Sequence, residues 1–195
     1  ASEGGVMTNN IVRNVTAEDI SINQGLFMSL SAYDTGGDVS GVFENISLQN
    51  VDLTAQGAYF GSHASLTIGT GTSTVNLILR NVTTRMTSVP STTFGHAVAI
   101  AVAVPGGTAN SNLQMQNNLF TSNTGSATQN SGCSEVPVGV GGTENASVIS
   151  LGGNLSDTDL CDSYFTAPND QGNIPNLAST LGPLQNNGGI TRTFA

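Results

Sequence analysis

The sequence has no lysine and very little positive charge of any kind. Its basic residues are Arg13, Arg80, Arg85 and Arg192, against thirteen acids, giving a formal charge of -9 over 195 residues. A surface of that sign repels phosphate backbones, so nucleic acid is excluded as a partner. It also disfavours docking on anionic lipid. Long apolar runs are missing too. The longest, Ala97 to Val104, is far short of the roughly 20 residues that a membrane-spanning helix needs, and no membrane span is expected. There is no Ser/His/Asp or Cys/His arrangement and no glycine-rich phosphate loop. No EF-hand loop and no glycine–aspartate nonapeptide array is present. The opening Ala1-Ser2-Glu3-Gly4-Gly5 carries no signal-peptide pattern and reads as a mature or trimmed start.

What is present is turn chemistry and β-formers. The chain holds 24 Gly, abundant Asn, Ser and Thr, and regularly spaced Val, Ile and Leu. That mixture suits one turn-rich all-β domain with a sizeable core. The two cysteines, Cys133 and Cys161, form an even count in a lysine-free, Asn/Thr/Ser/Gly-rich chain. This favours a disulfide and an oxidising compartment, with two free thiols as the alternative.

An internal repeat is the main signal. Similar stretches occur at Ile11-Val12-Arg13-Asn14-Val15, Leu48-Gln49-Asn50-Val51 and Leu79-Arg80-Asn81-Val82. Two more, each with one extra residue, are Met115-Gln116-Asn117-Asn118-Leu119 and Leu151-Gly152-Gly153-Asn154-Leu155. The shared pattern is apolar, any residue, Asn, apolar. Asn14, Asn50, Asn81, Asn117 and Asn154 are thus expected to form a structural ladder. Asparagine tolerates the left-handed backbone of a corner, and stacked amides can bond along an axis. A second apolar stretch follows each of the first four asparagines: Leu26 to Ala32, Leu66 to Ile68, Ala97 to Val104 and Val136 to Val140. In Ala97 to Val104 the β-branched Val98, Ile100 and Val102 are expected to point inward. The alanines, with Ser29, Ser31, Ser65 and Thr67, would then form a flat outer face.

A unit with one apolar face must bury it on its neighbours. Two or three short strands per unit, stacked like over like, make a parallel β-helix of about five coils. A leucine-rich repeat has a shorter period of about 20–29 residues. A β-sandwich has strands every 8–12 residues or so without long-range register. The expected division is a β-helix over 1–160 and a loop-rich tail over 161–195 that packs on it or caps it. Pro175 and Pro183 exclude a central ladder strand around them, and Asn187-Gly188-Gly189 signals a turn.

The last third carries a recognisable order of motifs. Gly152-Gly153-Asn154-Leu155-Ser156-Asp157 precedes Cys161. Leu181-Gly182-Pro183-Leu184-Gln185-Asn186-Asn187-Gly188-Gly189 and Thr191-Arg192-Thr193 follow. Over about 45 residues this resembles the C-terminal region of bacterial choice-of-anchor Q β-helix proteins. The resemblance implies export, a right-handed parallel β-helix and a route to the cell surface through a sorting signal beyond this region. It implies no single catalytic activity. The family usually continues into a Pro-Gly-Ser-Pro-Ala segment, whereas this sequence stops at Ala195. Both ends read as cuts through a longer protein.

Candidate chemistry is sparse. His63 and His96 lie about one repeat apart and could share a face as a metal or acid/base pair. No third ligand at a suitable spacing accompanies them, so no metal site is assigned. The acids Glu18, Asp19, Asp34, Asp38, Glu44 and Asp52 spread over the first two units. A pair of them could serve glycoside cleavage, or loop carboxylates could hold Ca²⁺. No other cofactor is expected. Arg13, Arg80 and Arg85 are the only candidates within the repeats for the positioned base that a pectate-lyase-like β-helix uses. Arg13 and Arg80 directly precede ladder asparagines, which repeat geometry explains. Asn-x-Ser/Thr sequons fall at Asn14, Asn45, Asn81, Asn145 and Asn154, with Asn145 the best placed for glycosylation.

The sequence therefore points to a non-catalytic extracellular or cell-surface β-helix protein acting in adhesion, glycan contact or surface assembly. Its expected partners are glycans, other surface proteins or further copies of itself. The rival is a polysaccharide lyase or glycoside hydrolase on the same scaffold.

Overall fold

The computed structural model describes residues 6–19, 21–22, 28–32, 37–53, 60–88, 97–122, 133–157, 159–189 and 193–194. The chain runs through β1 (Val6–Glu18), β2 (Ser21–Ile22), β3 (Met28–Ala32), β4 (Gly37–Leu53), β5 (Phe60–Leu66), β6 (Thr72–Ser88) and β7 (Ala97–Ala103). It continues with β8 (Thr108–Gln116), β9 (Leu119–Ser122), β10 (Cys133–Gly139), β11 (Thr143–Ser150) and β12 (Leu155–Ser156). A 3₁₀ turn at Asp159–Cys161, the short α1 (Leu177–Thr180), β13 (Leu184–Gln185) and β14 (Thr193–Phe194) complete it.

Two parallel sheets hold nearly all the strands. The larger has the order β1-β4-β6-β8-β11, with β2, β9 and β12 attached beside that path. The smaller has the order β10-β7-β5-β3. Strands of the two sheets alternate along the chain: β4, β6 and β8 belong to the larger sheet, β5 and β7 to the smaller. Each parallel pair is therefore joined by a crossover through the other sheet, as parallel pairing requires.

Register sets the core. Val39, Val75 and Ser111 lie side by side on successive strands, as do Gly41, Leu77, Leu113 and Val148, and Phe43, Leu79, Met115 and Ser150. Leu77, Leu79, Leu113 and Met115 are at most 1% exposed. Burying each such side chain contributes about 1.5–3 kcal/mol. The strict alternation in β8, with Ala109, Ser111, Leu113 and Met115 in and their neighbours partly out, is what a period-two strand with one buried face gives.

The face of β7 is the reverse of the expected one. Ala97 and Ala99 pack in one cluster with Leu77, Leu79, Leu113 and Met115, and Ala101 and Ala103 pack with Val75 and Ala109. Val98 and Ile100 form a separate cluster with Val102 and Val136. The long side chains of the larger sheet fill the space between the sheets, leaving room opposite them for little more than methyl groups. The flat alanine face expected from the sequence is thus turned into the core. Gly61 sits beside Val98 in this sheet, and a Cβ there would collide with the Val98 carbonyl.

A left-handed residue marks a corner within or just after each long strand of the larger sheet. Asn14, Asn45, Asn81 and Asn117 have φ of 58°, 53°, 52° and 53°, and Gly153 has 76°. Asparagine and glycine are the residues that enter this region at least cost.

The two ends of the larger sheet differ. β1 is an edge strand. Its Met7 and Val12 are 41% and 37% exposed, while their neighbours Val39 and Phe43 are 1% and 4%. At the far end, residues 167–174 lie along 152–156. Gly153 N donates to Pro168 O, Gln171 N to Asn154 O, Ser156 N to Gln171 O and Ile174 N to Ser156 O, all at 2.9–3.1 Å. Leu177 and Leu184 anchor this irregular segment, each 7% exposed. β13 and β14 pair as an antiparallel ladder around the Gly188 turn.

Candidate functional site

The asparagine column is real in position but differs in membership from the sequence motif. Neighbouring pairs Arg13–Glu44 and Val15–Ile46 place Asn14 beside Asn45, not beside Asn50. Glu44–Arg80 and Ile46–Val82 place Asn45 beside Asn81. Arg80–Gln116 and Thr83–Leu119 place Asn81 beside Asn117. Asn45 Nδ2 donates to Asn14 Oδ1 at 3.3 Å, and Asn81 Nδ2 to Asn45 Oδ1 at 3.0 Å. Asn50 lies further along β4, where the register with β6 slips between Gln49 and Val51. The column ends in Gly153, over which the Asn117 amide leans.

Asn154 belongs to a second, buried column one residue further in. It is 0% exposed and Asn118 1%. Asn118 Oδ1 accepts from Val82 N at 2.9 Å, and Asn118 Nδ2 donates to Leu79 O at 3.1 Å and to Asn154 Oδ1 at 3.0 Å. Asn154 Oδ1 also accepts from Asn118 N, and Asn154 Nδ2 lies 3.2 Å from Met115 O. Each amide thus serves backbone groups that the left-handed corner takes out of the ladder, as buried polar groups require. Asp170 of the tail closes the column, its Oδ1 accepting from Asn154 N and Nδ2 at 2.9 and 3.0 Å.

Cys133 and Cys161 form a disulfide with Cα atoms 4.8 Å apart, tying the start of β10 to the 3₁₀ turn. Tyr164, packed on the same core, has its hydroxyl pKa raised by burial and by the nearby Glu135 carboxylate.

Of the histidine pair, the structure describes only His63. His63 neighbours Ile100 on one side and Ser31 on the other, and His96 lies outside the described residues. Burial holds the His63 pKa down to about 4. Of the acids, Glu18 neighbours Gln49, and Glu44 neighbours Arg13 and Arg80. Asp34 and the Asp52 side chain lie outside the described residues. Glu44 accepts from Arg80 Nη1 at 3.4 Å, while Arg80 Nε donates to Gln116 at 3.1 Å. Among the described residues no three His, Cys, Asp or Glu side chains gather in a way that would hold a metal. Of the sequons, Asn145 is exposed and bonded through Nδ2 to Asn110 Oδ1 at 2.8 Å, whereas Asn154 is sealed in the core.

The outer face of the larger sheet carries what the motifs did not reveal. Its side chains also stand in columns: Asp38, Thr74, Asn110 and Asn145; Ser40, Asn76, Asn112 and Ser147; Val42, Ile78, Gln114 and Ile149. Asn112 Nδ2 donates to Asn76 Oδ1 at 3.0 Å and Asn110 Nδ2 to Thr74 Oγ1 at 3.4 Å. At the β1 end the register shifts between Met7 and Asn10. Asn9 there takes φ 59°, and Asn10 Nδ2 donates to Ser40 O at 2.9 Å. Asn9 borders a groove of about 250 Å³ lined also by Ser40, Val42, Asn76, Ile78, Asn112 and Gln114. A second hollow of about 260 Å³, with Thr8, Asp38 and Thr74, shares Ser40 and Asn76 with it. The first groove is lined by amides, a hydroxyl and aliphatic side chains. It can offer hydrogen bonds and apolar contact, but the paired carboxylates of glycoside cleavage are not among its lining residues.

The sequence signal for this face was the alternation in Thr72-Ser73-Thr74-Val75-Asn76-Leu77 and Asn110-Ser111-Asn112-Leu113, in which every second residue, the outward one, is polar. Comparison with family models, curated proteins and solved structures finds no match to this chain.

Proposed function

We propose that the chain is a right-handed parallel β-helix of about five coils that works outside the cell or at its surface. In this reading it is a non-catalytic rod whose outer face contacts glycans and whose partners are other surface proteins or further copies. Two alternating parallel sheets in long-range register support the helix. Right-handed crossovers are the rule for parallel strands of one sheet, which favours that hand. The disulfide suits an oxidising compartment. The resemblance of the last 45 or so residues to choice-of-anchor Q proteins agrees with surface display.

The observation that carries the glycan reading is the groove between the polar column Ser40–Asn76–Asn112 and the aliphatic pair Val42 and Ile78. Hydroxyl-rich ligands need closely spaced donors and acceptors beside apolar surface, and this is such a surface. Incubation with a panel of insoluble and soluble polysaccharides tests it. Retention on at least one of them without new reducing ends or unsaturated products is expected. Product release would replace this reading with a lyase or hydrolase, and retention on none would remove the glycan role.

A further inference from the structure

We infer that the groove takes a neutral polysaccharide strand lying along the columns, across the β-strands, with about one sugar residue per strand; this rests on the glycan-contact reading above. The direction follows from the repeat. Ser40, Asn76 and Asn112 occupy equivalent positions on β4, β6 and β8, and neighbouring strands are about 4.8 Å apart. That step is close to the length of one sugar in an extended chain, so successive sugars meet a polar side chain on each strand, with an aliphatic one beside it on β4 and β6 and Gln114 on β8.

The groups are prepared for hydroxyls. The Asn112–Asn76 bond fixes one exposed and one half-buried amide. It uses one hydrogen of Asn112 and one lone pair of Asn76, leaving each amide both donor and acceptor capacity for a ligand. Fixing the amides before binding reduces the ordering cost of association. Val42 and Ile78, both half-buried, supply the apolar strip on which the C–H face of a pyranose rests.

The sign of the ligand follows from charge. Each residue lining the first groove is uncharged. Asp38 borders the adjoining hollow, Arg80 is committed to Glu44 and Gln116, and the chain as a whole carries -9. A carboxylate-bearing glycan would approach against that field with no cation among the described residues that line the groove.

The test is amide and side-chain NMR of the full chain titrated with three probes: cello-hexaose and xylo-hexaose as neutral strands, and hexagalacturonate as an acidic one. Shifts confined to Ser40, Val42, Asn76, Ile78 and Asn112 with either neutral probe are expected. Asn76→Leu and Asn76→Asp should each weaken that binding about tenfold or more, the loss of one or two hydrogen bonds. Asn145→Leu, on the same face outside the groove, should leave it unchanged, and its spectrum checks that a column substitution preserves the fold. Hexagalacturonate binding in the groove in place of the neutral probes would overturn this inference and leave glycan contact standing. Binding by none of the three at this face, with retention on polysaccharide persisting, would overturn the location.

Discussion

Replacing Asn118 with alanine probes the part of the structure that the exposed asparagines do not. Its side chain is 1% exposed and bonds Val82 N, Leu79 O and Asn154 Oδ1. Alanine removes all three. Asn154 Oδ1 keeps the Asn118 backbone N–H at 3.1 Å, so two backbone groups, Val82 N and Leu79 O, lose a buried bond. Each orphaned group costs about 1–3 kcal/mol, giving about 2–6 kcal/mol for the substitution. Asn81 is the counterpart on the solvent side: exposed, with φ 52° and a 3.0 Å bond to Asn45. Asn81→Ala should cost about 1–2 kcal/mol, mostly for the left-handed backbone. Asn81→Gly, which accepts that backbone, should cost only about 0.5 kcal/mol. Urea unfolding followed by circular dichroism orders the three variants. An Asn118→Ala protein as stable as wild type, or less damaged than Asn81→Ala, would refute the assignment of corner support to the buried amide.

Four further outcomes are expected. His63 should make stability fall with acid. With a folded pKa near 4 against 6.5 unfolded, the native state binds fewer protons between those values. The stability present above pH 6.5 is therefore lost as pH drops toward 4, by up to about 3 kcal/mol. Melting temperatures of wild type and His63→Gln over pH 7 to 4 should diverge accordingly, and parallel curves would contradict the burial. Reducing Cys133–Cys161, which closes a 28-residue separation, should lower stability by about 3–4 kcal/mol on the chain-entropy model, read by thermal melts with and without dithiothreitol. Gly61→Ala should destabilise by about 1–3 kcal/mol because the new methyl meets the Val98 carbonyl; an unchanged midpoint in urea would show that β5 and β7 are further apart. Hydrogen exchange should be faster in β1, whose Met7 and Val12 lie open, than in β6, which is paired on both sides.

Much of the scaffold was readable from residue patterns. Period-two alternation, corner asparagines and the cysteine pair all have local chemistry that survives in a one-dimensional text. What failed were choices that only a neighbouring strand can make. Phe43-Glu44-Asn45-Ile46 and Leu48-Gln49-Asn50-Val51 fit the same motif five residues apart, and nothing within β4 says which asparagine turns left-handed. The partner decides, because Glu44 and Ile46 must meet Arg80 and Val82. Gly152-Gly153-Asn154 hid a similar offset. Glycine takes the corner, and the asparagine moves into the core. The face of β7 was misread because Ala97 to Ala103 and the intervening Val98, Ile100 and Val102 are all apolar. The volume of Leu77, Leu79, Leu113 and Met115 across the core selects the alanines. The groove was missed because it has no motif at all: it arises from outward residues on three strands and from the register shift at Asn9.

The central claim is that strands about one repeat apart lie in register with Asn14, Asn45, Asn81 and Asn117 as one column. Nuclear Overhauser contacts on selectively asparagine-labelled protein test it most directly. Cross-peaks linking Asn45 to Asn81 and Asn81 to Asn117 are the predicted result. Cross-peaks linking Asn50 to Asn81, with none from Asn45, would contradict it.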